Sequence, residues 1–269
     1  MAAYIRSARN DRIKKAVRLR DRRGRQRQGR IIVDGCREVH RALCAGVRPL
    51  EVFVSDEHVH DTSIQTITAM LAPHEIEAAV VTDNVFRKIA FGDRTDGIVL
   101  VAAEPRLSLE KLRLPRNSLI CVLEGVEKPG NVGAILRTAD AAGIDAVIIT
   151  EAGTDLYNPN AIRASLGAIF HLPVCAARSP AAVQWLRKEQ FAVFASRIEA
   201  ATHYASVDYR GKSALVVGSE AEGLTDIWTG KEITAVALPM LGIVDSLNVS
   251  ATAAVLCYEA VRQRQSERP

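Results

Sequence analysis

No stretch of the 269 residues approaches the roughly 18 to 20 uninterrupted apolar residues that a bilayer-spanning helix requires, so the sequence predicts a soluble chain. The opening segment MAAYIRSARNDRIKK lacks the basic, then apolar, then small-residue order of a secretory signal, which points to the cytoplasm. Cysteine is sparse and scattered: Cys36, Cys44, Cys121, Cys175 and Cys257 are odd in number and form no CxxC pair. That excludes an obvious disulfide framework or zinc site and fits buried thiols in a reducing compartment, with no metal expected. The glycine fingerprints of dinucleotide-binding folds and P-loops are missing too, so neither phosphate-binding loop is anticipated.

What is abundant is positive charge, in one place. Residues 1–30 carry twelve Lys or Arg against Asp11 and Asp21, a net of +10, which leaves 23 cations and 29 anions elsewhere, a net of −6. An Arg-rich segment of this kind pairs with successive phosphates, and Arg22, Arg23 and Arg25 stand at its densest point. The alternative is a solvated, fraying terminus. With few apolar residues, the segment is expected to be disordered until nucleic acid binds, and its near-lack of aromatics favours phosphate contact over base reading.

Beyond residue 30 the sequence is α/β. RIIVDG, LEVFVS, AAVVT and GIVLVAA read as buried strands, separated by helical stretches such as EVHRALCAG and NVFRKIAF. EPRLSLEKLRLPRN combines two prolines with charge and no sustained period, so a linker is placed at 105–117. A second βα series follows, from SLICVLEG to a terminal helix through SLNVSATAAVLCYEAVRQR. The expected layout is a basic arm at 1–30, a small α/β domain at 31–104, the linker, and a larger α/β domain at 118–269.

Three segments of the larger domain each follow an expected strand, where open α/β sheets place their ligands. In EGVEKPGNVGAILRTADAAG, Gly130 and Gly133 are read as allowing a sharp turn into a helix that Asn131 caps, with Arg137 projecting from its first half. In LVVGSEAEGL, a strand ends at Gly218, Ser219 and Glu220, leaving a carboxylate beside a backbone bare enough for a ligand. In ALPMLGIVDSLNVSATAA, Pro239 stops a strand and Ser246 or Asn248 caps a helix. Taken singly, each also reads as an ordinary turn or cap.

In this order and spacing the three segments resemble the signatures of the SpoU family of RNA ribose methyltransferases, also named for its tRNA member TrmH. RASLGAIFHLPV matches a fourth familiar stretch, and GRIIVDGCREVHRALCAGVRPLEVFVSD with RTDGIVLVAA resembles the family's front domain. Asp34 before Gly35 and Asp96 before Gly97 are small departures from the usual Glu and Gln. The resemblance implies a C-terminal α/β methyltransferase domain tied in a trefoil knot, preceded by a smaller α/β ribosomal-protein-like RNA-binding domain, and a homodimer.

The resemblance further implies S-adenosylmethionine as cofactor, held by Ser196, Gly218, Ser219, Leu238 and Leu247, with Met240 packing nearby. Arg137 would orient the ribose and stabilise developing alkoxide charge, while Asn131, Asn248, Glu220 and Ser246 hold the site. Arg163 would reach the RNA backbone or complete the partner subunit's site. The implied reaction is methylation of a ribose 2′-hydroxyl, in ribosomal RNA as housekeeping or antibiotic resistance. Transfer RNA is the alternative substrate, and a catalytically silent RNA-binding protein or a dinucleotide-dependent oxidoreductase the alternative class.

Overall fold

In the computed structural model, which describes residues 3–91 and 96–265, apolar runs become strands and the amphipathic stretches between them become helices. Arg94 and Thr95 of the RTDGIVLVAA stretch, and the chain ends, lie outside the described residues. In chain order the first elements are β1 (Tyr4–Ile5), α1 (Asp11–Arg18), α2 (Arg22–Gln28), β2 (Arg30–Asp34), α3 (Cys36–Cys44), β3 (Pro49–Ser55), α4 (Thr62–Ala69), β4 (Ala79–Val81), α5 (Asp83–Ile89) and β5 (Ile98–Ala103). Then come β6 (Leu119–Glu124), α6 (Pro129–Ala141), β7 (Ala146–Thr150), α7 (Pro159–Ala164), α8 (Ala168–His171) and β8 (Val174–Ala177). The chain continues through α9 (Ser179–Lys188), β9 (Ala192–Ser196), β10 (Ser213–Val217), β11 (Ile233–Val236) and α10 (Val249–Gln265). No helix among the described residues is long and apolar enough to cross a membrane.

Packing divides the chain into two units, one of Met1–Pro105 with Tyr157–His171, the other of Arg106–Leu156 with Leu172–Pro269. The first holds a five-stranded mixed sheet in the order β1-β4-β3-β5-β2. The expectation of a disordered basic arm is corrected here. Tyr4 and Ile5 pair in parallel with Val80 and Val81, and Ile13, Ala16 and Leu19 are buried in the same core as Phe53, Phe86 and Ile89. The charge count concealed an i, i+3, i+6 apolar stripe that buries the inner face of α1. The fourth signature stretch is two short helices, α7 and α8, broken at Leu166 and Gly167, both in the left-handed region. Their break is fixed within this unit, since Arg41 donates to the Leu166 carbonyl at 2.7 Å and Gly167 packs on the Arg41 side chain.

The second unit is a six-stranded sheet, parallel throughout, in the order β11-β9-β10-β6-β7-β8. Strands such as Leu119–Glu124 and Ser213–Val217 are buried along their whole length, which explains their continuous apolar runs. From β6 the chain runs outward through β7 and β8, then returns to β9 and inserts β10 beside β6. The direction of travel reverses there, and the carboxyl ends of β6, β9 and β10 open onto one set of loops. The expected linker is corrected in part: Leu109 and Leu112 are buried in the core of this unit, with Leu107 and Leu114 packed against them.

Candidate active site

The three signature segments meet in one hydrogen-bonded corner. Asn131 of α6 donates from Nδ2 to Glu220 Oε1 in the loop after β10. Asn248 in turn donates from Nδ2 to Asn131 Oδ1 at 3.4 Å. The Asn248 Oδ1 accepts from the Ser250 main-chain N–H at 2.9 Å, making Asn248 the cap of α10; Ser246 stands two residues outside. Asn131, by contrast, does not cap its helix. Pro129 opens α6 after Lys128, which puts Asn131 inside the first turn with its amide free for this corner. Nor do Gly130 and Gly133 make the entering turn, since both lie within α6; the left-handed residue is Gly125, at φ 65°.

Next to this corner lies a cleft of about 310 Å³, bordered by Ser196, Gly218, Ser219, Glu220, Ser246 and Leu247. A second cavity, sharing Ile198 with the first, is bordered by Leu238, Met240 and Asp245. Every residue expected to touch the cofactor therefore faces one of two adjoining spaces in the second unit. Gly218 is needed for a reason the sequence did not reveal. A Cβ there would stand 2.2 Å from the Gly223 carbonyl carbon, so the crowding comes from the chain's own returning loop. Ser219 closes that loop, exchanging main-chain hydrogen bonds with Gly223 at 3.1 Å each and accepting from the Glu222 N–H through Oγ.

The cleft is framed by residues the sequence reading missed. Glu124, 2% exposed at the end of β6, accepts from the Thr225 N–H at 2.8 Å, the Thr225 hydroxyl at 3.0 Å and the Ser179 hydroxyl at 2.5 Å. Arg197 donates from Nη2 to the Thr225 carbonyl at 2.7 Å, while its buried Nε has no partner among the described residues. The acid that ends the apolar run LICVLE was the only cue to this frame. The lining has three carboxylates, Glu199, Glu220 and Glu222, against the Arg197 guanidinium, a balance that attracts a cationic ligand and repels a phosphate.

The other expected residues lie elsewhere. Arg137 is exposed on α6, six residues past Asn131 and so about 120° around the helix from it; it borders neither cavity. Arg163 is exposed on α7 in the first unit, where its Nη1 donates to the Phe91 carbonyl at 3.4 Å. Arg22 and Arg23 are exposed at the start of α2. Arg25 is corrected from a surface contact to an internal brace: it is 3% exposed, and its Nη1 donates to the Leu19 and Arg20 carbonyls at 2.7 and 2.9 Å. No cluster of three or more His, Cys, Asp or Glu suited to a metal ion occurs among the described residues.

A parallel α/β unit with paired cavities at its strand switch, walled by three convergent loops, is an architecture suited to holding a nucleoside-bearing ligand, and sequence comparison gives the family. Residues 118–258 match the SpoU rRNA Methylase family, and residues 10–100 match the MRM3-like substrate binding domain. The chain belongs to the SpoU rRNA methylase family. It is 28% identical over 254 residues to the 23S rRNA (guanosine(2553)-2′-O)-methyltransferase RlmP of Bacillus subtilis, covering 94% of this chain and 97% of that one. It is 38% identical over 196 residues to the 23S rRNA (guanosine-2′-O-)-methyltransferase RlmB of Xylella fastidiosa, covering 70% and 79% respectively. Among solved structures, a crystal structure of an RNA 2′-O ribose methyltransferase superposes with a TM-score of 0.83 at 38% identity, over 97% of this chain and 99% of that one. The SpoU methyltransferase AviRb from Streptomyces viridochromogenes, in complex with the cofactor AdoMet, gives 0.87 at 25% identity, over 97% and 100%.

Proposed function

We propose that this protein is an S-adenosylmethionine-dependent methyltransferase acting on a ribose 2′-hydroxyl of ribosomal RNA in the cytoplasm. The observation that carries the reading is the corner joining Asn131, Glu220 and Asn248 at the mouth of a cleft with an acidic lining. The 23S rRNA substrates named for RlmP and RlmB, and the AdoMet held by AviRb, support it.

The residues present fit this cofactor. Leu238, Met240 and Leu247 supply apolar walls for a base, and Ser196, Gly218 and Ser219 supply hydroxyls and close backbone for a sugar. The three carboxylates suit a ligand bearing positive charge and disfavour the pyrophosphate of a dinucleotide. When bound, the cofactor supplies a sulfonium methyl that passes to the ribose oxygen and leaves a neutral thioether. Arg137 orients the ribose and an adjacent phosphate and stabilises charge developing on the 2′-oxygen. It serves as an electrostatic partner and not as a base, and the hydroxyl proton leaves directly or through a substrate oxygen. Asn131, Asn248 and Glu220 fix the loops that meet at the cleft, and Ser246 sets the facing loop.

The same reading includes a trefoil knot, in which the C-terminal chain threads through a loop, and a homodimer. Exposed apolar side chains support the dimer: Leu241 and Ile243 are 96% and 102% exposed, with Val244, Leu247 and Tyr258 exposed beside them in sequence or on α10. In this reading Arg163 reaches the RNA backbone or completes the partner subunit's site. Calorimetry tests the cofactor assignment: S-adenosylhomocysteine is expected to bind at one site per chain and NAD at none. Binding of NAD without binding of S-adenosylhomocysteine would overturn the reading.

A further inference from the structure

Ten of the twelve cations of residues 1–30, all but Arg6 and Arg9, fall into two groups once their surroundings are known. One group is absorbed by the fold. Arg12 pairs with Glu51 at 2.8 Å, Lys14 with Asp11 at 3.1 Å, Arg20 stacks over the Phe91 ring, and Arg25 braces the end of α1. The other group converges. Lys15, Arg18, Arg22, Arg23, Arg27 and Arg30 border a groove of about 850 Å³ whose lining, among the described residues, has Asp21 as its one acid. Lys15, Arg18, Arg23 and Arg27 have no ion pair among the described residues, and all four are exposed.

The groove is built, not a chance cluster on a loose tail. A Cβ on Gly24 would stand 1.8 Å from the Arg18 carbonyl oxygen, so α2 rests directly on the last turn of α1. Gln28 donates to the Lys15 carbonyl at 3.2 Å and ties the far end of α2 to the same helix. The apolar face of α1 is locked into the sheet core through Ile13, Ala16 and Leu19. Six cations held in one concavity repel one another, and that cost is offset when an anionic polymer fills it. Guanidinium forks match phosphate oxygens, and no aromatic side chain borders the groove to stack a base.

We propose that the α1–α2 groove is a preformed site for the sugar-phosphate backbone of RNA, gripping successive phosphates through Lys15, Arg18, Arg23 and Arg27 without reading sequence. The proposal rests on the RNA methyltransferase reading and adds to it where, and how, the substrate is held away from the chemistry.

The test is fluorescence anisotropy of the full chain with a ribosomal RNA fragment and an unrelated RNA of equal length, across a series of salt concentrations. For the variant Arg18→Gln/Arg23→Gln/Arg27→Gln, the slope of log affinity against log salt is expected to fall by about 2, at roughly 0.7 per lost phosphate contact. Both RNAs should weaken equally, with S-adenosylhomocysteine binding and melting temperature as in the parent. The Lys triple at the same positions is expected to keep the slope and restore part of the affinity. A parent-like slope in the Gln triple overturns the proposal. So does an equal loss in Arg87→Gln/Arg187→Gln/Arg210→Gln, which removes three charges elsewhere. Loss confined to one RNA would mean base reading, and polyglutamate competing as well as RNA would assign the groove to an acidic protein. If the parent neither binds nor methylates RNA, the underlying reading fails instead.

Discussion

Glu124 and Thr225, 101 residues apart in sequence, are joined by hydrogen bonds from both the main-chain N–H and the hydroxyl of Thr225 to one buried carboxylate. The loop from Ser219 to Thr225 is thereby pinned to the end of the central strand β6, and Arg197 grips the same residue from the cleft side. Glu124→Gln keeps the shape but replaces an acceptor oxygen with a donor facing donors. The expected cost is about 1–3 kcal/mol for a buried group left unsatisfied. Affinity for S-adenosylhomocysteine should drop by about tenfold, in line with about 1.4 kcal/mol. Calorimetry beside a thermal melt checks this; unchanged affinity would mean the frame does not shape the cleft.

Gly218→Ala tests the close approach of the returning loop. Its new methyl would meet the carbonyl of Gly223 and the N–H of Leu224, both main-chain atoms that cannot swing aside. Overpacking of this kind costs about 1–3 kcal/mol. Because the strain falls on the loop bearing Glu220, cofactor binding should be lost before the fold is. Gly130→Ala is the control: nothing lies within 4 Å of its Cβ, so it should bind cofactor normally.

Gly24→Ala makes the corresponding prediction for the helix pair of the first unit. The added carbon has no room against the Arg18 carbonyl, so α2 must lift from α1. Urea unfolding should show a loss of about 1–3 kcal/mol. RNA affinity should fall with it, and S-adenosylhomocysteine affinity should stay unchanged.

Thiol reactivity reports the packing independently. Cys44 is exposed and should react with a disulfide reagent at once. Cys36 is half-buried, with its thiol pushed up chiefly by burial, and should follow slowly. Cys175 is pushed up to about 12 by burial, and Cys121, buried 3.4 Å from the Cys257 sulfur, is raised by that neighbour and by its burial. These three should react only after unfolding. Three or more fast thiols in the native protein would contradict the core described here.

Much of this arrangement was legible in the sequence, for identifiable reasons. Strands buried on both faces leave continuous apolar runs, so β2 to β10 stood out, and glycine, serine and asparagine after β6, β10 and β11 marked the loops of the site. Side-chain roles were less visible. Asn131 looks like a helix cap by residue type, but Pro129 starts the helix two residues earlier and turns the amide toward Glu220. Gly218 looks like room for a ligand and is room for Gly223. In the N-terminal segment the density of arginine hid the spacing of Ile13, Ala16 and Leu19, and Arg25 serves the fold because its position on α2 turns it inward. Glu124 and Thr225 were out of reach, because nothing in either local sequence indicates the other.

Methylation of a ribose 2′-hydroxyl in ribosomal RNA by this chain is tested most directly by mapping 2′-O-methyl groups across total RNA from cells with and without the protein. Loss of a 2′-O-methyl group from ribosomal RNA, restored by the parent chain and not by Arg137→Ala, is the predicted result. An unchanged ribosomal RNA map, with a methyl missing only from a transfer RNA or from none at all, would contradict it.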